Sequence, residues 1–264
     1  MTNPSEKLLV TLKDGIKRIT INRPERRNSV DGETVQLLRD AVQHSVDDGT
    51  RVVILTGAGD SFCAGADLAA TSASDIASFD VTKALRENVN PTILAMRDLP
   101  VPIIARVHGH AVGVGCNYAL ACDMIVASEQ ALFGQVFIRI GLMPDGGSTF
   151  FLPRLVGYHK AFELMATGDI IGAQEAQQLG IVNKVVPFSE LDATMDSTAA
   201  RLAQAPGTAI AKIKAGLNHG SQSDLATALD FEAVNQDACF HSPDFIEGVT
   251  AFVQKRKAVF GKGA

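Results

Sequence analysis

The chain has 264 residues, 24 Lys+Arg against 29 Asp+Glu and a net charge of −5, with 46% hydrophobic residues. At about 150 residues per domain this is one large domain or a domain with an appendage, with apolar content enough for a core. The mild acidity argues against generic nucleic-acid or anionic-membrane binding, because the basic footprint is missing. No apolar run approaches the roughly 20 residues of a spanning helix. The polar Met1–Glu6 segment has no apolar signal core. Cys63, Cys116, Cys122 and Cys239 lack paired spacing and read as buried free thiols in a reducing cytoplasm, the expected compartment.

Residues 8–22 read as two strands joined at Lys13-Asp14-Gly15, where Asp-Gly is a hairpin signal. Asp31 is an N-cap, followed by Val35, Leu38, Ala41, Val42 and Val46 at helical spacing. Residues 51–56 form a buried-type strand closed by Gly57 and Gly59. The small, polar segment 69–80 suits a mobile loop; strand-like runs follow at 101–107, 123–127 and 181–186, with helical patterns dominating after Pro144. Strands alternating with helices, then helices alone, predict α/β architecture with a helical C-terminal part.

Three segments carry candidate chemistry. In 55–68 (LTGAGDSFCAGADL) a strand runs into Gly57-Ala58-Gly59, but Phe62 stands where a dinucleotide fingerprint needs its third glycine. The small residues of Ala64-Gly65-Ala66-Asp67 make a tight turn and permit close approach of a ligand to backbone N–H groups. In 108–123 glycines feed a helix predicted from Asn117 to Cys122, and a helix N-terminus offers free N–H groups to a developing oxyanion. His108 and His110 have no nearby carboxylate ligand, so no metal is expected. In 140–157 Asp145 sits between Pro144 and Gly146-Gly147: a turn aspartate by default, a substrate-facing carboxylate otherwise. No Gly-x-Ser-x-Gly nucleophile elbow is present.

In this order and spacing the chain resembles the enoyl-CoA hydratase/isomerase, or crotonase, family from about Leu8 to Phe260. The likeness runs through Asn22-Arg23-Pro24 to Arg27-Asn28, Phe62 to Leu68, Gly113 to Asp123 and Phe133-Gly134-Gln135. It continues with Gly141 to Gly147, Thr167-Gly168 and Ile171, Ala173 and Glu175-Ala176, and Gly180 to Pro187. It ends with Glu247-Gly248, Ala251-Phe252 and Lys255-Arg256-Lys257. The resemblance implies a crotonase-like spiral of ββα units over residues 1–195. It also implies a helical C-terminal trimerisation region over 196–264, giving a homotrimer or dimer of trimers. An acyl-CoA substrate is implied, with no cofactor beyond the coenzyme A of the thioester.

Carried onto this chain, the two amides that hold the thioester oxygen are those of Ala66 and Val114, the latter standing where the family commonly has glycine. Arg23, Arg26 and Arg27 are the expected phosphate contacts. Ala64, Asp67 and Leu68 form the adenine-side loop, and Lys255 adds a contact from this or a neighbouring subunit. The two glutamates of family hydratases are replaced by Asn117 and Phe137, neither of which can act as a base. Asp145 resembles the aspartate of members that shift double bonds, with Phe137 as an apolar neighbour and Asn117 orienting substrate or water. The expected activity is enoyl-CoA isomerisation. The alternatives are a hydratase or lyase using Asp75, Asp80 or Glu87, and a non-catalytic acyl-CoA binder. Phe79, Phe137, Phe150, Phe151 and Phe162 are core by default and acyl-pocket candidates otherwise.

Overall fold

The computed structural model of the chain describes residues 7–68 and 78–261. Strands β1 (Leu8–Lys13) and β2 (Ile16–Ile21) form the expected antiparallel hairpin. Asp14 and Gly15 supply consecutive positive φ angles of 53° and 74°, matching the strands' right-handed twist. Asp31 caps helix α1 (Gly32–Gln43) by accepting from the Thr34 N–H at 2.9 Å. Strand β3 (Val52–Gly57) is buried along its whole length, as a strand covered on both faces must be. Residues 69–77 of the expected loop, with Asp75, lie outside the described residues.

A helical stretch from Val81 passes through a π turn at Leu85–Val89 into helix α2 (Asn90–Asp98). Strands β4 (Ile103–Val107), β6 (Met124–Ser128) and β9 (Lys184–Val186) complete a six-stranded sheet of order β1-β2-β3-β4-β6-β9, parallel except for its first pair. The 181–186 run is a strand only in its second half. Ile181 and Val182 spend their N–H groups on the Ala176 carbonyl, closing the preceding helix Ala173–Gln178.

A second sheet is built from β5 (His110–Val112), β7 (Leu132–Gly134) and β8 (Ile170–Gly172), and Cys63 joins its edge through a bridge to Ala111. These three-residue strands are too short for alternation to announce them in sequence. After each of β3, β4 and β6 the chain therefore turns from the large sheet into the second layer, and this recurrence is the spiral. Helix α3 (Val114–Ala121) follows β5 and starts three residues before the predicted Asn117. All eight of its residues are buried, so it shows no amphipathic edge from which to read a start.

The main core fills the space between the sheets, α1 and α3, around Ile19, Leu55, Phe62, Ile103, Tyr118 and Phe133. A second cluster (Val52, Ile54, Ile104, Val126, Leu191, Met195) lies under helix α4 (Phe188–Ala203) on the other face of the large sheet. The boundary expected at 195/196 falls inside this helix. Its buried face belongs to the spiral, and the helices that stand beyond it are α5 (Gly207–Gly220), α6 (Leu225–Phe240) and α7 (Pro243–Val253). Lys214 on α5 is buried and ties that helix back, donating to Asp123 Oδ2 at 2.9 Å and to the Met96 carbonyl at 2.8 Å.

Candidate active site: two free amides and one carboxylate

The Ala66 amide is aimed by a single bridge. Val30 pairs with Ala66 as in a parallel ladder, donating to the Gly65 carbonyl at 2.8 Å and accepting from the Asp67 N–H at 2.9 Å. Such a pairing bonds the residues on either side and leaves the N–H of Ala66 pointing the other way. The Val114 amide is the first of α3, and the first four N–H groups of a helix have no partner within it. Among the described residues neither amide donates to a protein acceptor.

Two glycines bring these donors together. Gly113 adopts φ 57°, ψ −133°, a conformation essentially closed to residues with a Cβ. Gly65 has φ 98°, and a methyl built on it would lie 3.8 Å from the Gly113 Cα and 3.1 Å from the Val112 carbonyl oxygen. Val114 itself has no positive φ. The valine in place of the family's usual glycine is therefore unstrained, because the demanding geometry rests on Gly113. Gly115 is as tightly placed: a Cβ there would meet the Cys63 carbonyl oxygen at 2.3 Å, so α3 is seated hard against the strand that leads to Ala66.

Asp145 follows the turn at Val136–Ile140 and precedes the consecutive left-handed Gly146 and Gly147 (φ 54° and 83°). Its carboxylate is half-buried and has no hydrogen-bond or ion-pair partner among the described residues. Burial pushes its pKa above the ordinary carboxylate value of 3.8. Its carbonyl, by contrast, is bonded by Asn117 Nδ2 at 2.8 Å and by the Ser148 N–H and Oγ at 3.1 Å each. Asn117 is fully buried, and its Oδ1 accepts from Gln135 Nε2 at 2.8 Å. Each end of its amide thus has a bond within the protein. Gln135 is the residue of this region that sequence reasoning passed over; it had no signal beyond its place in Phe133-Gly134-Gln135.

The proposed coenzyme A loop is held by its own polar residues. Asn28, fully buried, donates to the Ala58 carbonyl at 2.7 Å and the Ser61 carbonyl at 2.6 Å, and the Ala64 N–H reaches the Arg27 carbonyl at 3.0 Å. Arg23, expected as a phosphate contact, is already engaged within the chain. Its guanidinium bonds Asp67 at 2.7 Å and the Ser29 carbonyl at 2.5 Å, and it also lies 3.5 Å from Asp31. Asp67, expected on the adenine side, is the buried partner of that pair. The side chains of Arg26 and Arg27 are exposed and unpaired among the described residues, and Leu68 is exposed beside half-buried Ala64.

Lys255 lies just beyond α7, and no hydrogen bond or ion pair within the described residues ties it to the loop at 23–28. Of the phenylalanines, Phe137 is buried, Phe150 and Phe151 are half-buried, and Phe79 and Phe162 are exposed, against their default as core.

His108 is a structural residue. It accepts from Arg106 at 2.9 Å through Nδ1 and donates through Nε2 to the Gly59 carbonyl at 2.8 Å. No group of three or more metal-capable side chains occurs among the described residues. The alternative base Asp80 is an N-cap, accepting from the Lys83 N–H at 2.9 Å, while Glu87 is exposed in the π turn. Cys63, Cys116 and Cys122 are buried free thiols, and burial pushes Cys63 and Cys116 up to about 12; Cys239 is only half-buried.

A concavity of about 1310 Å³ lies elsewhere, between α5, α6 and α7. Its lining includes Ile213, Leu217, Phe231, Phe245 and Phe252 and none of the residues around the two amides. It is an uncovered helix surface. The two free amides, each following one of the paired glycines Gly65 and Gly113, and the half-buried acid are the stronger candidates for a site.

Comparison with known proteins places the chain among relatives of one family. The enoyl-CoA hydratase/isomerase family profile matches residues 11–263. A crotonyl-CoA hydratase of Syntrophomonas wolfei is 39% identical over 97% of this chain and 98% of its own. A 1,2-epoxyphenylacetyl-CoA isomerase of Escherichia coli is 35% identical over 97% and 98%. A crystal structure described as a putative enoyl-CoA hydratase from Streptomyces coelicolor superposes with a TM-score of 0.92 at 31% identity, covering 99% of this chain and 96% of that one. The chain belongs to the enoyl-CoA hydratase/isomerase family.

Proposed function

We propose that the protein is an enoyl-CoA isomerase in which Asp145 shuttles a proton along the acyl chain. The Ala66 and Val114 N–H groups receive the thioester oxygen. Asp145 takes a proton from one end of the allylic system, the electron pair delocalises onto that oxygen as an enolate, and the same carboxyl returns the proton to the other end. The step is redox-neutral and balances with a single acid–base group, so it calls for no cofactor beyond the coenzyme A of the substrate. Preorganised donors to such an oxygen are worth about 2.7–4 kcal/mol each. General-base catalysis adds roughly 10²–10⁴-fold when the acid's pKa is moved toward neutrality.

The observation that carries this reading is Asp145 itself: a half-buried carboxylate with no bonding partner among the described residues. Arg26 and Arg27, exposed and unpaired among the described residues, are the cations that would meet the coenzyme's phosphates. We further propose that α5 to α7 pack against other copies in a trimer or dimer of trimers. Phe252 is 84% exposed and Leu217 69% exposed, a degree of apolar exposure that marks interaction surfaces.

A hydratase is the second reading, favoured by the name of the Syntrophomonas relative; of the alternative acids Asp80 and Glu87, both among the described residues, Glu87 has no capping role. Following absorbance with a 2-enoyl-CoA and a 3-enoyl-CoA separates the two. Isomerisation creates the conjugated chromophore from the 3-enoyl substrate, whereas hydration removes it from the 2-enoyl substrate. Asp145→Asn should abolish the first reaction; full isomerase activity in that variant would refute the assignment.

A further inference from the structure

The contrast between the two ends of Asp145 points further. Its carboxylate has no bonding partner among the described residues, while its carbonyl accepts three hydrogen bonds. One comes from Asn117, one turn along the helix whose first amide is that of Val114. Asn117 is in turn fixed by Gln135, just beyond strand β7. A Cβ on Gly146 would press to 3.2 Å on Asn117 Nδ2 and 3.5 Å on Val114 Cγ2, so the loop rests directly on that helix.

We propose that Gln135 and Asn117 form a positioning relay that sets the Asp145 carboxylate relative to the Val114 amide by gripping the aspartate's peptide instead of its side chain. This rests on Asp145 being the base.

The physical reason for gripping the peptide is specific. A carboxylate fixed by hydrogen bonds to its own oxygens is stabilised in its charged form and becomes a weaker base. Donors spent on the carbonyl fix the Cα and leave the oxygens free. One rigid helix then carries both the first oxyanion donor and the anchor of the base loop, so the two move together.

Gln135 supports this from an independent side. It is buried, and its Oε1 has no partner among the described residues. An unsatisfied buried oxygen is costly, and an apolar residue of similar size would avoid that cost. What an apolar residue could not supply is the Nε2 donor that orients Asn117.

The test uses Gln135→Met, which keeps volume and removes the donor, and Asn117→Leu, which keeps shape and removes both bonds. Folding is checked by circular dichroism, and thioester binding by titration with a saturated acyl-CoA that cannot react. In folded variants kcat for the 3-enoyl-CoA should fall roughly 10–100-fold, the scale of a misplaced reacting group. KM should change little, because the amides and the loop at 23–28 are untouched. The acidic limb of the kcat/KM profile should move to lower pH, since a loosened loop admits water to Asp145.

Parent kinetics in folded Gln135→Met would overturn the relay. So would a loss carried by KM with the acidic limb unmoved, the signature of general disorder. Asp145→Asn separates the two layers: activity retained there removes the base assignment, whereas activity lost there with Gln135→Met unchanged removes the relay alone.

Discussion

Gly65 and Gly113 lie against one another: a methyl built on Gly113 would come to 3.7 Å from the Gly65 Cα. The residue after each glycine carries one of the two free amides. Gly113→Ala should force φ 57°, ψ −133° on a residue with a Cβ, a strain of about 1–3 kcal/mol. Relief of that strain turns the Val114 N–H, and kcat should fall roughly 10²-fold. Val114→Gly should stay within a few-fold of the parent, since Val114 has no positive φ to relieve. Steady-state kinetics on both variants decides whether Gly113 or position 114 holds the geometry.

Arg23 and the exposed arginines beside it should separate in the laboratory. Asp67→Asn leaves a largely buried guanidinium without its 2.7 Å partner and should destabilise the fold by about 2–3 kcal/mol. Arg26→Ala and Arg27→Ala should leave thermal stability unchanged and raise KM in a salt-dependent way. If Asp67→Asn melts like the parent, the ion pair is not what holds the loop.

Asp145 should burden the fold at neutral pH. Its folded pKa is raised by burial, so its contribution to stability is fully present below 3.8 and is lost as pH rises through the folded value. Asp145→Asn should therefore melt higher than the parent at pH 7, with the gap closing on acidification. An equal or lower melting temperature at pH 7 would contradict the desolvation.

His108 should act in the opposite direction. Burial, with help from the Arg106 charge, depresses its pKa below 6.5, against the opposing pull of the Gly59 carbonyl, Asp192 and Asp60. The folded protein then binds fewer protons than the unfolded chain, so stability falls as pH drops below 6.5. His108→Gln should flatten that part of the stability profile, measured by denaturant unfolding between pH 7 and 5.

The exposed apolar surface of α5 to α7 offers a separate check. Phe252→Asp should dissociate an assembly while leaving the helical signal intact, which sedimentation velocity reads directly. A parent protein that sediments as a monomer would remove the oligomer reading.

The sequence by itself determined the elements whose signals are local. The Asp14-Gly15 hairpin, the Asp31 cap and the buried strand read at 51–56 and found at Val52–Gly57 each follow from a few adjacent residues, and the order of motifs named the family. Tertiary structure decided whatever depends on contact between distant residues. Arg23 has its guanidinium held by Asp67, 44 residues away, a partner that no local signal announced. Asn117 looked free to meet a substrate until the loop at Asp145 and the end of β7 took both ends of its amide. The short strands of the second sheet left no periodic trace, yet they carry Cys63 and Ala111 into register and so help set where the Ala66 amide stands. A charged or amide side chain announces only its capacity to bond; which partner it meets is fixed by packing, because burial makes an unsatisfied polar group costly and the fold supplies the nearest answer.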